Sequence, residues 1–215
     1  MTDLWSDRAQ AFRDSPTHRE GEDLDLVVEW CEPGPGVTAL DVATGGGHVA
    51  RRLREAGANV VSSDPAPGMQ PDVICRAEHL PFADGAFDVV VCRIAPHHFD
   101  DIHEAMHEMA RVAGKRVVVE DNMFTSDARE EAEKLRDPSH VRCYSEDEWR
   151  SLFDEAGLEV DAVRRFDRRI GLDAWLERVE CTGEDEARVR ALLADVTEAD
   201  GTIPMASIVL RGRKR

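Results

Sequence analysis

No stretch of this 215-residue chain approaches the ~18 uninterrupted apolar residues that a membrane-spanning helix needs, which excludes a helical bilayer span. The opening residues, Met1-Thr2-Asp3-Leu4-Trp5-Ser6-Asp7-Arg8, lack the basic flank and apolar run of a secretory signal, so a cytoplasmic protein is expected. The five cysteines (Cys31, Cys75, Cys92, Cys143 and Cys181) stand singly, with no C-x-x-C pair. That argues against a zinc motif or a disulfide framework and sets the expectation of reduced thiols and no metal. Lysine is nearly absent: Lys115, Lys134 and Lys214 are the only three among 27 basic residues, set against 44 acidic ones and a net charge of −17. Such a field repels phosphate backbones, and no basic stripe is long enough to override it, so nucleic acid is not expected as a partner. The arginine-rich, acidic composition fits salt adaptation and a GC-rich coding sequence about equally well. Internal repeats and low-complexity tracts are also missing, and the length suits one domain with a full core.

What is present is an alternation of short apolar runs with helix-spaced segments. Within residues 1–32, Trp5, Ala9 and Phe12, then Leu24, Val27 and Val28, form apolar rows broken by Asp-Ser-Pro-Thr-His at 14–18, which predicts two helices joined by a turn. Pro33-Gly34-Pro35-Gly36 stops the second. Strands are predicted at 37–43, 58–63, 72–76, 87–93 and 115–120, with helices at 48–56 and about 101–112; in the latter Ile102, Ala105, Met106 and Met109 share a face. Strand and helix in alternation signify a parallel sheet covered on both sides. Farther on, helices are predicted at 126–136, at 146–156 behind the capping box Ser145-x-x-Glu148, at 172–179 and at 184–196. Strands are predicted at 158–166 and 205–211.

The segment from Leu40 to Ala50, Leu-Asp-Val-Ala-Thr-Gly-Gly-Gly-His-Val-Ala, fits G-x-G-x-x-G/A through Gly45, Gly47 and Ala50, a weak match alone. Glycines after a first strand let backbone approach a ligand, and the following helix presents free amides. Asp64, at the tip of the second strand, can accept hydrogen bonds from both hydroxyls of a ribose. Together these features point to an adenosine without saying which cofactor carries it.

The block from Ala77 to Arg93 (AEHLPFADGAFDVVVCR) discriminates further: here the sequence resembles the class I S-adenosylmethionine-dependent methyltransferases, in the branch containing the ubiquinone- and menaquinone-biosynthesis enzymes. The resemblance runs from about Asp23 to Phe166 and more weakly to the end. Cys92-Arg93-Ile94-Ala95-Pro96-His97-His98-Phe99 and Arg136-Asp137-Pro138-Ser139-His140-Val141-Arg142 are similar to one subgroup of small-molecule methyltransferases. The fold implied is α/β, a Rossmann-like three-layer sandwich whose mostly parallel seven-stranded sheet ends in an antiparallel strand. It would be a single domain, with a helical cover at 1–32, a cofactor half at 37–121 and a substrate-side half at 122–215. The resemblance implies that Asp41, Ala43, Thr44, Gly45 and Gly47 form the loop holding the methionine end of S-adenosyl-L-methionine. It places Asp64 on the ribose, Ala77 and Glu78 beside the adenine, and Arg93 and Ile94 facing the methionine moiety and the substrate. Two departures stand out. Only Pro65 to Pro71 separates Asp64 from the third strand, where relatives place a whole helix, so the adenine side is expected to be open. Arg76 occupies a position commonly held by an aspartate, and an arginine cannot accept a hydrogen bond from an adenine amino group.

Methyl transfer from a sulfonium is an in-line displacement that needs alignment more than apparatus. His97 and His98, just past the fourth strand, are candidate catalytic bases, although a histidine there equally often only bonds a loop carbonyl. His18 is placed in the N-terminal cover, His48 at a helix start, Glu120-Asp121-Asn122 as possible pocket lining, and Tyr144 and Trp149 as packing residues. The expected partner is a small-molecule acceptor, bound by a monomer or homodimer. A methyltransferase-like domain that binds a nucleoside-type ligand or a protein without turnover stands as the rival reading.

Overall fold

The computed structural model describes residues 4–214. At the N-terminus, α1 (Leu4–Asp14) is followed by a single helical turn, α2 (Pro16–Arg19), and by α3 (Glu22–Cys31). The predicted turn between two helices is thus itself helical: proline suits a first helical position because it has no N–H to leave unsatisfied. The Ser15 carbonyl accepts from His18 N and Arg19 N, both at 3.1 Å.

The first part of the sheet comprises β1 (Thr38–Val42), α4 (His48–Glu55), β2 (Asn59–Asp64), β3 (Val73–Ile74), β4 (Phe87–Arg93), α5 (Ile102–Val112) and β5 (Ala113–Asn122). It is followed by α6 (Asp127–Arg136), α7 (Glu146–Glu155), β6 (Leu158–Gly171), α8 (Leu172–Glu177), α9 (Gly183–Leu192) and β7 (Thr202–Lys214). Among the described residues, seven strands form one sheet in the order β3-β2-β1-β4-β5-β7-β6, with β7 antiparallel to both neighbours and the first five strands parallel.

Alternate residues of each strand serve opposite faces, as the pleat requires. Leu40 and Val42 of β1, with Val90, Val117 and Val119, pack against Met106 and Met109 of α5 and Trp149 and Phe153 of α7. Ala39, Val89, Val91 and Val118 point the other way, onto Leu24 and Val27 of α3 and Leu53 of α4. Full burial of a large apolar side chain contributes about 1.5–3 kcal/mol, so these two faces hold the three layers together. The capping box at α7 is formed: Ser145 Oγ accepts from Glu148 N, and the Glu148 carboxylate accepts from Ser145 N.

The sheet departs from the sequence reading at its two edges. The third strand shrinks to Val73–Ile74, whereas β6 and β7 run well beyond the predicted 158–166 and 205–211. The extension pairs Arg168 with Met205 and Ile170 with Ile203. Its charged residues conceal the strand in the sequence because the apolar partners of Ile170 and Ile203 come from α6, α8 and α9, not from the main core. Ala132, Leu172, Trp175, Leu176, Val189 and Ile203 form this separate cluster.

Candidate active site

The strand order reverses between β1 and β4, and ligands of open α/β sheets bind beyond the carboxyl ends of strands at such a point. A cavity of about 490 Å³ lies there, within the range usual for a small-molecule or cofactor site. Its floor is the loop from β1 to α4. Ala43, Gly45 and Gly47 adopt positive φ values of 52°, 50° and 75°, so the loop turns sharply and an alanine carries strain usually left to glycine. Asp41 anchors it: Oδ2 accepts from Thr44 Oγ1 at 2.6 Å and from Ala50 N at 3.0 Å. Burial raises the Asp41 carboxyl to about 6, against the lowering effect of those hydrogen bonds. Asp64, at the tip of β2, accepts from Gly45 N at 3.0 Å through Oδ2 and from Ala66 N at 2.9 Å through Oδ1.

Asp41, Ala43, Thr44, Gly45 and Asp64 therefore share one wall, and Ala77 and Glu78 stand on another, as do Arg93 and Ile94 at the end of β4. Gly47 is not on the wall; it caps α4 and donates to the Thr44 carbonyl at 2.9 Å. Arg93 is buried, and its guanidinium turns to the cover. It donates to Glu120 Oε2 at 2.5 Å, to the His18 carbonyl at 3.0 Å and to Asp23 Oδ2 at 2.7 Å. Glu120 and Asp121, expected as possible pocket lining, are fully buried, and both serve as anchors behind the wall. Burial raises Glu120 to about 8, although Arg93 opposes the shift. The Asp23 carboxyl is likewise opposed by burial, but a hydrogen bond with Glu120 and the charges of Arg93 and Arg168 hold it well below the usual carboxylate range.

The side of the cavity beyond Asp64, expected to be open, is covered by α1. Pro65 to Pro71 forms one tight 3-10 turn (Pro67–Met69), and α1 lies on it in place of a helix. Gly68 N donates to Ser6 Oγ at 2.8 Å and the Gly68 carbonyl accepts from Arg13 at 3.1 Å. Ala9 packs with Ala66 and Met69, and His48 Nε2 bonds the Phe12 carbonyl at 3.1 Å. Arg76 also has a use. It donates to Glu78 Oε1 at 3.2 Å and to Asp100 Oδ2 at 2.6 Å, while Asp100 N donates to Glu78 Oε1 at 3.1 Å. Arg76 thus gathers two carboxylates on the cavity wall where it supplies none itself.

The histidines divide. His98 lines the cavity, edge-on to Trp5 with ring centroids 4.6 Å apart. Its Nδ1 lies 3.0 Å from the Ser139 carbonyl, which requires the proton on Nδ1 and leaves Nε2 with the lone pair. Burial, and then the neighbouring charge of His97, hold His98 well below the ordinary imidazole range. His97 is not on this wall. Its ring lies tilted against that of His98 with centroids 4.0 Å apart, and its Nδ1 meets Asp121 Oδ1 at 2.5 Å; burial works to lower it, but the Asp121 carboxylate outweighs burial and raises it.

A family model described as "Methyltransferase domain" matches residues 40–118, the stretch that builds this floor and wall. Over those residues the chain is similar to the methyltransferase domain family. An uncharacterized methyltransferase of Bacillus subtilis, YcgJ, is 28% identical over 207 residues, covering 86% of this chain and 82% of its own. The YcgJ crystal structure superposes with a TM-score of 0.82 at 26% identity, covering 89% of this chain and 97% of that one. A demethylmenaquinone methyltransferase of Renibacterium salmoninarum is 36% identical over 108 residues, 44% of this chain and 46% of its own.

Sequence reasoning missed Met69, Asp100 and Ser139 on the wall. Ser139 was within reach, because it lies in the segment from Arg136 to Arg142 that carried part of the family resemblance; Pro138 and Val141 of that segment line the cavity too. Asp100 was not, since nothing in its own neighbourhood announces the pairing with Arg76. Among the described residues, Glu130, His140 and Cys143 bring potential metal-ligating atoms within 4.8 Å. Glu130 is already engaged there, by His140 Nε2 at 3.1 Å and Cys143 N at 3.2 Å.

Proposed function

We propose that this protein is a methyltransferase that binds S-adenosyl-L-methionine in the 490 Å³ cavity and transfers the methyl group to a small-molecule acceptor. The observation that carries the reading is the convergence of the Asp41-anchored glycine loop, the Asp64 carboxylate and the Glu78 carboxylate on one cavity at the reversal of strand order. The residues present suit that cofactor. A Cβ at Gly46 would fall 2.8 Å from His48 Nε2 and 3.0 Å from the Phe12 carbonyl, so bare backbone is needed where cover and loop meet. Asp64 would take the ribose hydroxyls, the loop from Ala43 to Gly45 the methionine end, and Glu78 with Asp100 the adenine edge. When bound, the cofactor supplies a methyl group on a positively charged sulfur.

His98 is assigned the proton-accepting role toward the acceptor nucleophile, because it is neutral near pH 7, has its lone pair on Nε2 and lines the cavity. His97 is assigned a positioning role, holding His98 by ring contact while tethered to Asp121. Arg93 fastens α3 and the end of α2 over the site. Trp5 and Phe12 of α1 complete the wall and exclude water.

Calorimetric titration with S-adenosylmethionine and S-adenosylhomocysteine tests the reading; both should bind at one site per chain, and no binding of either, in low or high salt, would overturn it. Turnover on a screened acceptor should fall by about 10²- to 10⁴-fold in His98→Ala with cofactor affinity retained, the range general-base removal usually produces.

A further inference from the structure

A histidine base needs a fixed tautomer, because a neutral imidazole takes a proton only at the nitrogen that carries no hydrogen. Three parts of the chain meet around the His98 ring. The 3-10 turn Pro96–His98 carries it, Trp5 of α1 lies edge-on to it at 4.6 Å, and the segment just after α6 presents Ser139. That segment is laid against the turn by its backbone. Val141 N and Arg142 N donate to the His97 carbonyl at 2.8 and 3.1 Å, and His140 N donates to the Asp137 carbonyl at 2.9 Å.

Ser139 offers His98 two oxygens. The carbonyl lies 3.0 Å and Oγ 3.2 Å from Nδ1. A carbonyl can only accept, but a hydroxyl can also donate, and a donating Oγ would favour the opposite tautomer, with the lone pair on Nδ1 and a hydrogen on Nε2. Asp137 removes that choice. Its Oδ1 accepts from Ser139 Oγ at 2.6 Å and from Ser139 N at 3.1 Å, which takes up both hydrogens that Ser139 has to give. Only lone pairs then face Nδ1. The Asp137 side chain is buried; burial works to raise its carboxyl, but the two bonds from Ser139, with Arg8 beside it, hold it below the usual carboxylate range. Arg8 of α1 completes the arrangement, with Nη1 3.3 Å from both oxygens of Asp137 and Nη2 donating to the Val179 carbonyl at 3.1 Å.

We propose that Asp137 is a positioning residue for methyl transfer: acting through Ser139, it holds His98 with the hydrogen on Nδ1 and the lone pair on Nε2, turned to the acceptor. This inference rests on the proposed role of His98 as proton acceptor. Asp137 takes the part of the group that orients a base, with a serine standing between carboxylate and imidazole. Neither Asp137 nor Ser139 exchanges a proton in the step. His98 Nε2 takes the proton of the acceptor nucleophile, and the imidazolium so formed keeps its Nδ1–H on Ser139.

Long-range proton–nitrogen correlation spectra of protein labelled in its histidine rings test the assignment, because a protonated ring nitrogen and one with a lone pair resonate far apart. The His98 signals are those lost in His98→Gln. At neutral pH the wild type should show His98 with its hydrogen on Nδ1, and an Nε2–H form there would overturn the proposal before any variant is made. Asp137→Ala should shift the His98 signals toward the Nε2–H form. Adding Ser139→Ala to that variant should return them, since only the carbonyl then faces Nδ1. Asp137→Asn, whose amide oxygen still accepts from Ser139, should keep the wild-type pattern. So should Arg8→Met, which loosens the cover at the same point but leaves Asp137 on Ser139. Unshifted His98 signals in Asp137→Ala, or an equal shift in Arg8→Met, would reduce Asp137 to a fastener of α1 and overturn the assignment. Full turnover of a screened acceptor by His98→Ala would instead overturn the base role of His98 and leave the tautomer assignment standing.

Discussion

Asp64 does two jobs with one carboxylate. It fastens Gly45 and Ala66 by backbone N–H bonds of 3.0 and 2.9 Å, and it is the residue proposed to hold the ribose. Hydrogen bonds to a charged group contribute about 1.5–3 kcal/mol, so Asp64→Ala should weaken S-adenosylmethionine binding by about 10- to 100-fold in a calorimetric titration; unchanged affinity would remove Asp64 from the ribose site. Glu120 makes a different prediction. Its folded pKa is raised from the ordinary 4.5 to about 8, so the folded state holds the proton more tightly than the unfolded state. Its contribution to stability is complete below pH 4.5 and is lost as pH rises toward 8, by up to about 1.4 kcal/mol per pH unit. Glu120→Gln should therefore flatten the fall in urea midpoint across that window, and a slope equal to the wild type would contradict it. Residues of this kind differ in how far they could be read. Asp64 and Glu78 were legible because a strand end and a family block mark them. The partners of Arg93 were not, since Asp23 lies 70 residues away and no local pattern encodes a contact at that separation.

At the scale of elements, α1 is held by point contacts more than by a large core. Ser6, Arg13 and Phe12 each make one hydrogen bond to the turn or loop below, and Arg8 reaches Asp137 and the Val179 carbonyl. A Cβ on Gly68 would lie 2.5 Å from Ser6 Cα, which is backbone and cannot simply rotate away. Gly68→Ala should therefore lift α1: trypsin should cut within residues 8–19 sooner, and cofactor affinity should drop several-fold. Because the sheet and its two main clusters are untouched, the melting point should move by less than about 4 °C, the shift that ~1 kcal/mol produces in a chain of this size. A variant as protease-resistant as the wild type would show that α1 is not seated through Gly68. The helix itself was legible from the spacing of Trp5, Ala9 and Phe12. Its docking site was not, because the missing helix between β2 and β3 reads in sequence as an absence, and only packing shows what fills it. The outer half of the β6–β7 hairpin was hidden for a related reason: Asp167 to Arg169 reads as a polar loop until Pro204 to Ala206 pair with it.

At the scale of the whole molecule, the excess of acid dominates. Ion pairs at the surface, such as Arg51 with Glu55 at 2.9 Å, contribute about 0–1 kcal/mol each, and with a net charge of −17 many carboxylates have no counter-charge. Raising salt from 0.1 to 1 M shortens the screening length from about 10 Å to about 3 Å and relieves that repulsion more than it weakens the pairs. The melting point should thus rise with added potassium chloride, whereas a fall would mean that the ion pairs outweigh the repulsion. Alternation of apolar runs with helix-spaced segments determined the layered α/β architecture from sequence alone, because the pleat and the helical turn impose their periods on whichever residues face a core. The glycine loop, Asp64 and the family block likewise marked residues that line the main cavity. Only the tertiary structure decided that α1 covers the turn between β2 and β3, that Arg76 recruits Asp100, and that His98 and not His97 lines the main cavity. Each of these depends on residues far apart in the chain arriving at one point, and local periodicity carries no information about where separate elements meet.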